Sequence, residues 1–415
     1  MSHHTIAAEP IRDVRFFTRG VYMMLGVIGV GAAFGIARFF LGLESVTNLD
    51  DRFPWGLWIA VDVATGVALA AGGFTTSALV HIFHKDRYLA LVRPALLTAM
   101  LGYTFVGVGL MFDLGRYYNI WHPVIYWQGN SVLFEVGICV VSYLTVLYIE
   151  FLPIVVERFK DGVRLPGVLR VFNRPADWFL SLSDAVLRRV LFVFIILGVV
   201  LSCMHQSSLG ALMLIAPTKT HALWFTPILP MLFLASAIAV GFPMVIFESM
   251  IASKSFGRKP EMDVLGPLAR YVPIFLGLYL AMKIVDMVNR ETFVYLTEWS
   301  VQSGMFLLEI IGGVIVPIAM FLHPAVRRRP LALFAAAMLV VLGVALNRIN
   351  VFLVAYHPPY TETSYFPAIG EFAITAALIA TLALVYRFVV MNFPVIVNHA
   401  APKPLAKAGP HRHEN

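Results

Sequence analysis

An apolar run opens at residues 53–66 with the sequence FPWGLWIAVDVATG and continues almost to His84. A membrane-spanning helix needs about 20 mainly apolar residues, so the run is long enough to be one. One aspartate, Asp62, lies about two helical turns into it. A charged side chain inside a bilayer costs at least about 2.5–3.5 kcal/mol on insertion scales, and such residues usually face a bundle interior and carry function. The run therefore predicts both a span and a functional carboxylate.

The whole chain has the composition of a membrane protein. Of its 415 residues, 59% are hydrophobic and 13% are charged, and the mean hydropathy is +0.80. Soluble domains carry about 25% charged and roughly 45–50% apolar residues, so we predict an all-α, polytopic membrane protein. A net charge of +7 would suggest a nucleic-acid partner for a soluble protein. Here its distribution indicates membrane orientation instead, and we expect no nucleic-acid partner.

Ten segments are long and apolar enough to span a membrane. They are approximately 21–43, 55–83, 90–113, 130–156, 186–206, 224–249, 266–289, 299–323, 331–355 and 367–391. The first follows three arginines, as a signal peptide would, but its apolar run exceeds the roughly 7–15 residues of a signal core and predicts a retained anchor. We expect one transmembrane domain, residues 21–391, between an N-terminal segment, 1–20, and a disordered tail, 392–415, rich in Pro, Lys and His.

Lysine and arginine are unevenly distributed along the chain. All but seven of the 31 lie in the termini and in the alternate loops that would share one side of the membrane. The exceptions are Arg38, Arg52, Arg116, Lys219, Lys283, Arg290 and Arg348. The positive-inside rule therefore predicts that both termini are cytoplasmic. The longest connection on that side, 158–185, mixes basic and aromatic residues and is either an interfacial helix or a solvated basic loop.

With this orientation, most ionisable residues within the predicted spans fall near the outer face. They are Arg38, Asp62, Asp113, Arg116, Glu135, His205, Lys283, Asp286, Arg348 and Glu371. Such a set predicts a polar chamber open toward the outer face. Glu309, near mid-membrane, and Glu248, near the inner face, depart from the pattern.

Pairs of opposite charge within this set have two interpretations. Asp113 and Arg116 are three residues apart, as are Lys283 and Asp286, so the members of each pair share a helical face if the helix continues. Each pair is as typical of structural neutralisation as of function. Asp62 and Glu135 have no cation nearby in the sequence, which favours function for both.

The remaining polar residues also have structural explanations. Trp55 and Trp58 would lie along one stripe with Asp62, but tryptophans at a span end more often form an interfacial aromatic belt. Glu248 and Glu371 lie near span ends, where snorkelling or helix capping is the more usual explanation.

Metal centres have little support in the sequence. Cys139 and Cys203 both lie in apolar runs, and the chain has no CxxC spacing, so we expect no iron–sulfur cluster. Haem in a bundle needs axial histidines at one depth on facing helices, and no histidine within a span matches His205 in depth. We therefore expect no haem and no other metal in this chain.

Several ordered stretches of the chain look familiar as a set. FPWGLW begins at Phe53, VRPALL at Val92, DLGRYYN at Asp113, NSVLFE at Asn130 and MHQSSLG at Met204, and a YFP sequence at 365–367 precedes the last span. These stretches resemble the NrfD/polysulphide-reductase membrane-subunit family, in particular its ten-span branch typified by HybB, the membrane subunit of hydrogenase-2. The resemblance covers nearly the whole chain.

The resemblance implies a quinone-reactive subunit without a cofactor of its own, in a bacterial inner membrane. It implies two four-helix bundles with flanking helices, approximately residues 55–206 and 224–355 here. Electrons would pass between a periplasmic iron–sulfur subunit, of a complex such as a nickel–iron hydrogenase, and menaquinone or ubiquinone. The family's quinone pocket lies near the periplasmic face in the N-terminal bundle, which agrees with the predicted outer chamber.

Quinone reduction takes two electrons and two protons, so the pocket needs a donor to a quinone carbonyl and groups that carry protons. We predict His205 as the carbonyl partner, and His205, Asp62 and Glu135 as catalytic residues. The predicted quinone-binding set is Arg38, Trp58, Asp62, Asp113, Arg116, Tyr117, Glu135 and His205. The predicted proton path comprises Glu248, Lys283, Asp286 and Glu309.

Two other classes of function remain open at this point. A secondary transporter also places charges within paired helix bundles, although usually near the midplane. A purely structural anchor is the third class, but it leaves the charges of the outer chamber without a role.

Overall fold

The computed structural model describes residues 8–160, 162–164 and 167–397. Within them, ten helices are long and apolar enough to cross a membrane, which confirms the predicted all-α, multi-pass protein. They are α1 (Arg19–Leu41), α2 (Trp58–Ile82), α3 (Asp86–Asp113), α4 (Val132–Arg158), α5 (Arg189–Ile215), α6 (Leu229–Ser255), α7 (Met262–Asn289), α8 (Val301–Leu322), α9 (Pro330–Val354) and α10 (Ile369–Asn392). The tail predicted to be disordered lies outside the described residues from position 398 onward.

Helix α5 differs from the prediction at both ends. It belongs to one continuous helix of 40 residues, Asn173–Leu212, about 60 Å long and so about twice the thickness of a bilayer core. Residues 173–188 are therefore helical and continuous with the span, neither a separate interfacial helix nor a loop. The sequence predicted that this span ends at about residue 206, next to His205. The span in fact reaches Ile215, so His205 lies in its interior.

Three of the spans contain π-helical segments, in which the backbone hydrogen bonds are one residue wider than in an α-helix. They occur in α2 at Trp58–Thr65 and Ala78–Ile82, in α8 at Leu308–Ile315 and in α9 at Asn350–Val354. Such segments are rare and frequently lie at functional sites. The first carries Asp62 and the third carries Glu309.

Two sets of four helices form the body of the protein. The N-terminal helix set consists of α2, α3, α4 and α5, which pack in that order, and α5 also packs against α2. The C-terminal helix set consists of α6, α7, α8 and α9, which pack in the same way. The two sets meet where α6 packs against α2 and α5, and where α9 contacts α2. Helix α1 packs along α10, and α10 lies against α2 and α3. The predicted bundle arrangement and the cytoplasmic position of both termini stay predictions.

Small residues allow the helices to approach closely, as is usual in membranes. At Gly31 of α1, an added Cβ would lie 2.2 Å from the Cβ of Ala377 on α10. At Gly313 of α8, an added Cβ would lie 2.5 Å from the Cα of Gly343 on α9. The pairing of α1 with α10 is therefore a tight one, and it brings residues from both ends of the chain to the N-terminal helix set.

Candidate functional site

Asp62 lies where three helices meet. It sits in the π-helical start of α2 and accepts a hydrogen bond of 2.6 Å at Oδ2 from Thr375 Oγ1 on α10. On its other side is Gly109 of α3, where an added Cβ would lie 3.0 Å from the Cβ of Asp62. A side chain at this position would force the aspartate to shift by a few tenths of an ångström. The hydroxyl that orients the Asp62 carboxylate thus comes from α10, which lies outside the N-terminal helix set.

Asp113, the last residue of α3, provides a second carboxylate at the same end of the helices. Its Oδ1 is buried and has no hydrogen-bond partner in the described part of the chain. Arg38 of α1, only 2% exposed, donates to the carbonyls on either side of it, through Nε to Phe112 O at 2.7 Å and through Nη2 to Leu114 O at 2.5 Å. The guanidinium thus caps the carboxyl end of α3 and places a positive charge beside Asp113.

Two aromatic residues of the predicted set lie beside these charges. The Tyr117 ring centroid is 5.7 Å from Cζ of Arg38, a cation–π contact. Trp58 is fully buried and donates from Nε1 to the carbonyl of Glu371 at 3.2 Å. The belt interpretation is therefore wrong for Trp58. Trp55 is partly buried and packs edge-on against Tyr356, with ring centroids 5.4 Å apart.

Arg116 and Glu135 lie outside this group of buried side chains. Helix α3 ends at Asp113 and Leu114 is extended, so Arg116 does not share a helical face with Asp113. Arg116 is exposed, and within the described residues the structure has no ion pair between the two. Glu135 is also exposed, in the first turn of α4, where a carboxylate favours the helix dipole. The expected Asp113–Arg116 pair is thus absent from the described chain, because the helix stops too early.

His205 is fully buried inside the N-terminal helix set, deeper than Asp62. Its Nδ1 is 3.0 Å from Oη of Tyr103 on α3, and its neighbour Gln206 donates to Val67 O on α2 at 2.7 Å. Val67 lies five residues after Asp62, or about 7.5 Å along the helix. Nε2 of His205 has no partner within the described residues. The predicted carbonyl donor is therefore separated in depth from the two aspartates.

A second cluster of buried polar residues lies in the C-terminal helix set. Glu309, 1% exposed, accepts from Trp224 Nε1 at 2.9 Å, from Asn347 Nδ2 at 2.7 Å and from Asn350 Nδ2 at 2.8 Å. Arg348 is fully buried next to it and donates to the Oδ1 of Asn347 at 2.5 Å. Both oxygens of this carboxylate therefore accept hydrogen bonds from buried donors.

One cation and one further acid of the predicted proton path lie near this cluster. Lys283 is 2% exposed, with Nζ 5.1 Å from the ring centroid of Phe306. Asp286 accepts from Thr226 Oγ1 at 2.6 Å, and its Oδ2 lies 3.8 Å from Nε of Arg290, one turn along α7. The expected Lys283–Asp286 ion pair is therefore replaced, within the described chain, by a pair between Asp286 and Arg290.

Glu248 lies at the opposite end of the molecule from Asp62. Its Oε1 accepts from Tyr386 Oη at 2.8 Å, and both residues line a cavity of about 450 Å³. Lys259, Arg258 and Asp13 also line this cavity. Glu248 therefore faces an internal space and does not extend toward the membrane surface as snorkelling would require.

Sequence reasoning missed three features of the site. They are Tyr103 as the partner of His205, Thr375 as the partner of Asp62, and the hydrogen bonds of Glu371 to residues outside α10. The first two are ordinary polar residues in apolar spans, and they carry no motif that would identify them. Glu371 does cap α10, as predicted, since its Oε1 accepts from Ala368 N at 2.9 Å. It also reaches the start of α2, which spacing along one helix cannot predict.

Comparison with known proteins gives one family and several full-length relatives. The family described as polysulphide reductase, NrfD, matches residues 45–358. The chain is 37% identical to a protein of Nitratidesulfovibrio vulgaris over 90% of this chain and 93% of that one. It is 32% identical to the probable Ni/Fe-hydrogenase 2 b-type cytochrome subunit of Escherichia coli, over 91% of each chain. It is 26% identical to the menaquinone reductase, integral membrane subunit, of N. vulgaris, over 90% of each.

The word cytochrome in the E. coli name calls for a test of haem against these residues. A haem inside a bundle needs axial side chains at one depth on facing helices. The Nδ1 of His205 contacts Tyr103, and His81 on α2 lies about 20 Å along the helix from Val67, the level of Gln206. The described histidines of α2–α5 therefore do not fit a haem with two axial histidines.

Proposed function

The chain belongs to the polysulphide reductase, NrfD family, and from this premise we propose that it is the quinone-reactive membrane subunit of a respiratory oxidoreductase complex. Two of its relatives are named as a probable b-type cytochrome subunit of a Ni/Fe-hydrogenase and as the integral membrane subunit of a menaquinone reductase. The proposed partners are a periplasmic iron–sulfur subunit and the catalytic subunits of such a complex, with a nickel–iron hydrogenase favoured by the E. coli relative. The proposed location is a bacterial inner membrane, with the site toward the periplasm.

One observation supports the site above all others: two partly buried carboxylates, neither fully hydrogen-bonded, lie at the same end of the N-terminal helix set. Within the described chain, Asp62 accepts one hydrogen bond, from Thr375, and Oδ1 of Asp113 accepts none. Buried polar atoms are almost always paired, so an unpaired one indicates a place where a ligand or water binds. A quinone that gains electrons must also gain protons there.

The residues of this region divide the chemistry between them. Asp62 and Asp113 would carry protons to the quinone oxygens, because carboxylates in such a site can both accept and release a proton. Arg38 would stabilise negative charge that develops on the ring during electron transfer. His205 keeps its proposed role as donor to a carbonyl, since its Nε2 faces no partner in the described residues.

A proton route from the opposite face is a second proposal. The cavity of about 450 Å³ at Glu248 opens a path for water into that end of the helices. Glu309, Lys283 and Asp286 would continue the route through the C-terminal set. If protons for the quinone came from that side, turnover would move charge across the membrane, with about 2.3 kcal/mol at stake per charge per 100 mV.

The proposed function is tested by purifying the native complex from membranes and identifying the subunits that co-elute. Quinone turnover is then measured with the electron donor of that complex, for wild type and for Asp62→Asn. We expect redox subunits to co-elute and turnover to be lost in the variant. A chain that purifies without redox partners, and that moves a solute instead, would favour the transporter. Partners without any effect of Asp62→Asn would place the quinone elsewhere.

A further inference from the structure

The carboxylate of Glu371 gathers more hydrogen bonds than any role as a helix cap requires. It is fully buried near the start of α10. Oε1 accepts from Ala368 N at 2.9 Å and from Asn48 N at 3.3 Å, and Oε2 accepts from Leu57 N at 3.4 Å and from the Tyr365 hydroxyl. A simple cap would need only the first of these.

These donors come from two segments that are far apart in the sequence. Asn48 and Leu57 belong to the connection that leads into α2, whereas Tyr365 and Ala368 belong to the connection that leads into α10. The packing around the carboxylate leaves no slack. An added Cβ at Gly56 would lie 2.5 Å from Oη of Tyr365 and 2.9 Å from Oε2 of Glu371. One side chain therefore joins the beginnings of two helices.

The same two helices then contact each other through matching positions. Trp58 and Asp62 are four residues apart on α2, and Glu371 and Thr375 are four apart on α10. Trp58 Nε1 donates to the Glu371 carbonyl at 3.2 Å, and Thr375 Oγ1 donates to Asp62 at 2.6 Å. The contacts made by Glu371 lie next to the contact that holds Asp62. If α2 and α10 shifted past each other, the hydroxyl and the carboxylate would separate.

The site requires a carboxylate and not an amide. Both oxygens of Glu371 face donors, so the amide nitrogen of a glutamine would meet an N–H group in either orientation. Burial, and then the hydrogen bond to Glu371, raise the pKa of Tyr365, which keeps its hydroxyl protonated as a donor. The start of a helix also favours a negative charge.

We propose that Glu371 is a positioning residue for the quinone site, which holds the first turns of α2 against α10 so that Thr375 can orient Asp62. This inference rests on the proposed function. The α1–α10 pair lies outside the four-helix set that contains Asp62, and the proposal gives this pair a part in the quinone site.

A double-mutant cycle on the intact complex tests the proposal, because residues that act through one contact show non-additive effects. The variants are Glu371→Gln, Thr375→Val and the two combined. The readouts are kcat and KM for quinone turnover with the complex's own donor, and the Kd of the quinol analogue 2-heptyl-4-hydroxyquinoline N-oxide by fluorescence titration. Thr381→Val is the matched control, since within the described residues the Thr381 hydroxyl bonds only to Ala377 O of its own helix.

We expect each single variant to lower kcat/KM by about ten- to a hundredfold, since small misplacements of a reacting group have effects of this size. The double variant should fall no more than about threefold below Thr375→Val. Thr381→Val should match wild type. Multiplicative losses in the double variant, or wild-type kinetics in Glu371→Gln, would overturn the proposal.

A second variant covers the case in which Glu371→Gln does not assemble. Tyr365→Phe removes one donor and leaves the three N–H donors of Glu371, and we expect a smaller loss that is again non-additive with Thr375→Val. Failure of the inference differs from failure of the proposed function. If Asp62→Asn itself leaves turnover and inhibitor binding unchanged, the quinone site is wrong. If only the Glu371 and Tyr365 variants behave as wild type, the positioning role alone is wrong.

Discussion

The two buried acidic regions of this protein differ in how well their carboxylates are hydrogen-bonded. Glu309 in the C-terminal helix set accepts from three neutral N–H donors, and Arg348 lies beside it. In the N-terminal set, Asp62 accepts a hydrogen bond from one hydroxyl, that of Thr375. Oδ1 of Asp113 has no partner in the described part of the chain. A fully bonded carboxylate has little capacity for a ligand, whereas an under-bonded one gains free energy by binding. The difference separates a site built to bind from a site built to hold charge.

The largest effect should come from His205, which lies deeper in the N-terminal helix set than Asp62. We expect His205→Ala to abolish quinone turnover while the complex still assembles, because it removes the proposed carbonyl donor and leaves the Tyr103 hydroxyl without its ring partner. Turnover is measured in membranes that contain equal amounts of the assembled complex. His323→Ala, at an exposed position after α8, is the control. Wild-type rates in His205→Ala would remove this residue from the mechanism.

A slightly smaller loss of turnover is expected at Asp62. Asp62→Asn keeps an acceptor for Thr375 but cannot exchange a proton, so kcat should fall by about 100-fold or more with little change in inhibitor binding. Asp50→Asn, in an exposed loop at the same end of α2, makes the same chemical change and should be silent. Weaker inhibitor binding with unchanged turnover at saturating quinone would make Asp62 a binding residue only.

Glu309 tests the other side of the comparison. In Glu309→Gln an amide nitrogen would face Trp224, Asn347 or Asn350 as donors, so we expect the free energy of unfolding to fall by about 1–3 kcal/mol. Quinone turnover should fall far less than in Asp62→Asn, because the quinone can still take protons through Asp62 and Asp113 at its own end of the helices. The measurements are a thermal unfolding midpoint and turnover, with the exposed Glu298→Gln as control. A loss of turnover as large as that of Asp62→Asn would erase the distinction between the two regions.

The same variant decides whether the C-terminal set carries protons. Proteoliposomes with the complex, its donor and quinone report the membrane potential through a voltage-sensitive dye. If the route passes through Glu309, Glu309→Gln should generate less potential per electron than wild type, because an amide does not carry a proton. Equal potentials per electron in the two proteins would mean that the route does not use Glu309.

Hydropathy predicted the ten spans, because a span depends only on the composition of one stretch of the chain. It could not predict rotation or neighbours. The Thr375–Asp62 bond joins residues 313 positions apart, and no local pattern indicates it. The sequence placed His205 at the end of the fifth predicted span, whereas the helix continues past it and buries Gln206 and Ser208 as well.

The smallest effects are expected at the two predicted site residues that the fold leaves exposed. Helix α3 ends at Asp113, which separates Arg116 from the buried group, and Glu135 faces outward from the first turn of α4. Exposed charges contribute little to an interior site, since water screens them. Arg116→Ala and Glu135→Gln should therefore each change kcat/KM for quinone by less than about twofold, measured beside Asp62→Asn in the same membranes. A loss of tenfold or more at Glu135 would mean that the quinone approaches from the surface of α4, and the boundary between the buried site and its exposed surroundings would have to move outward to include it.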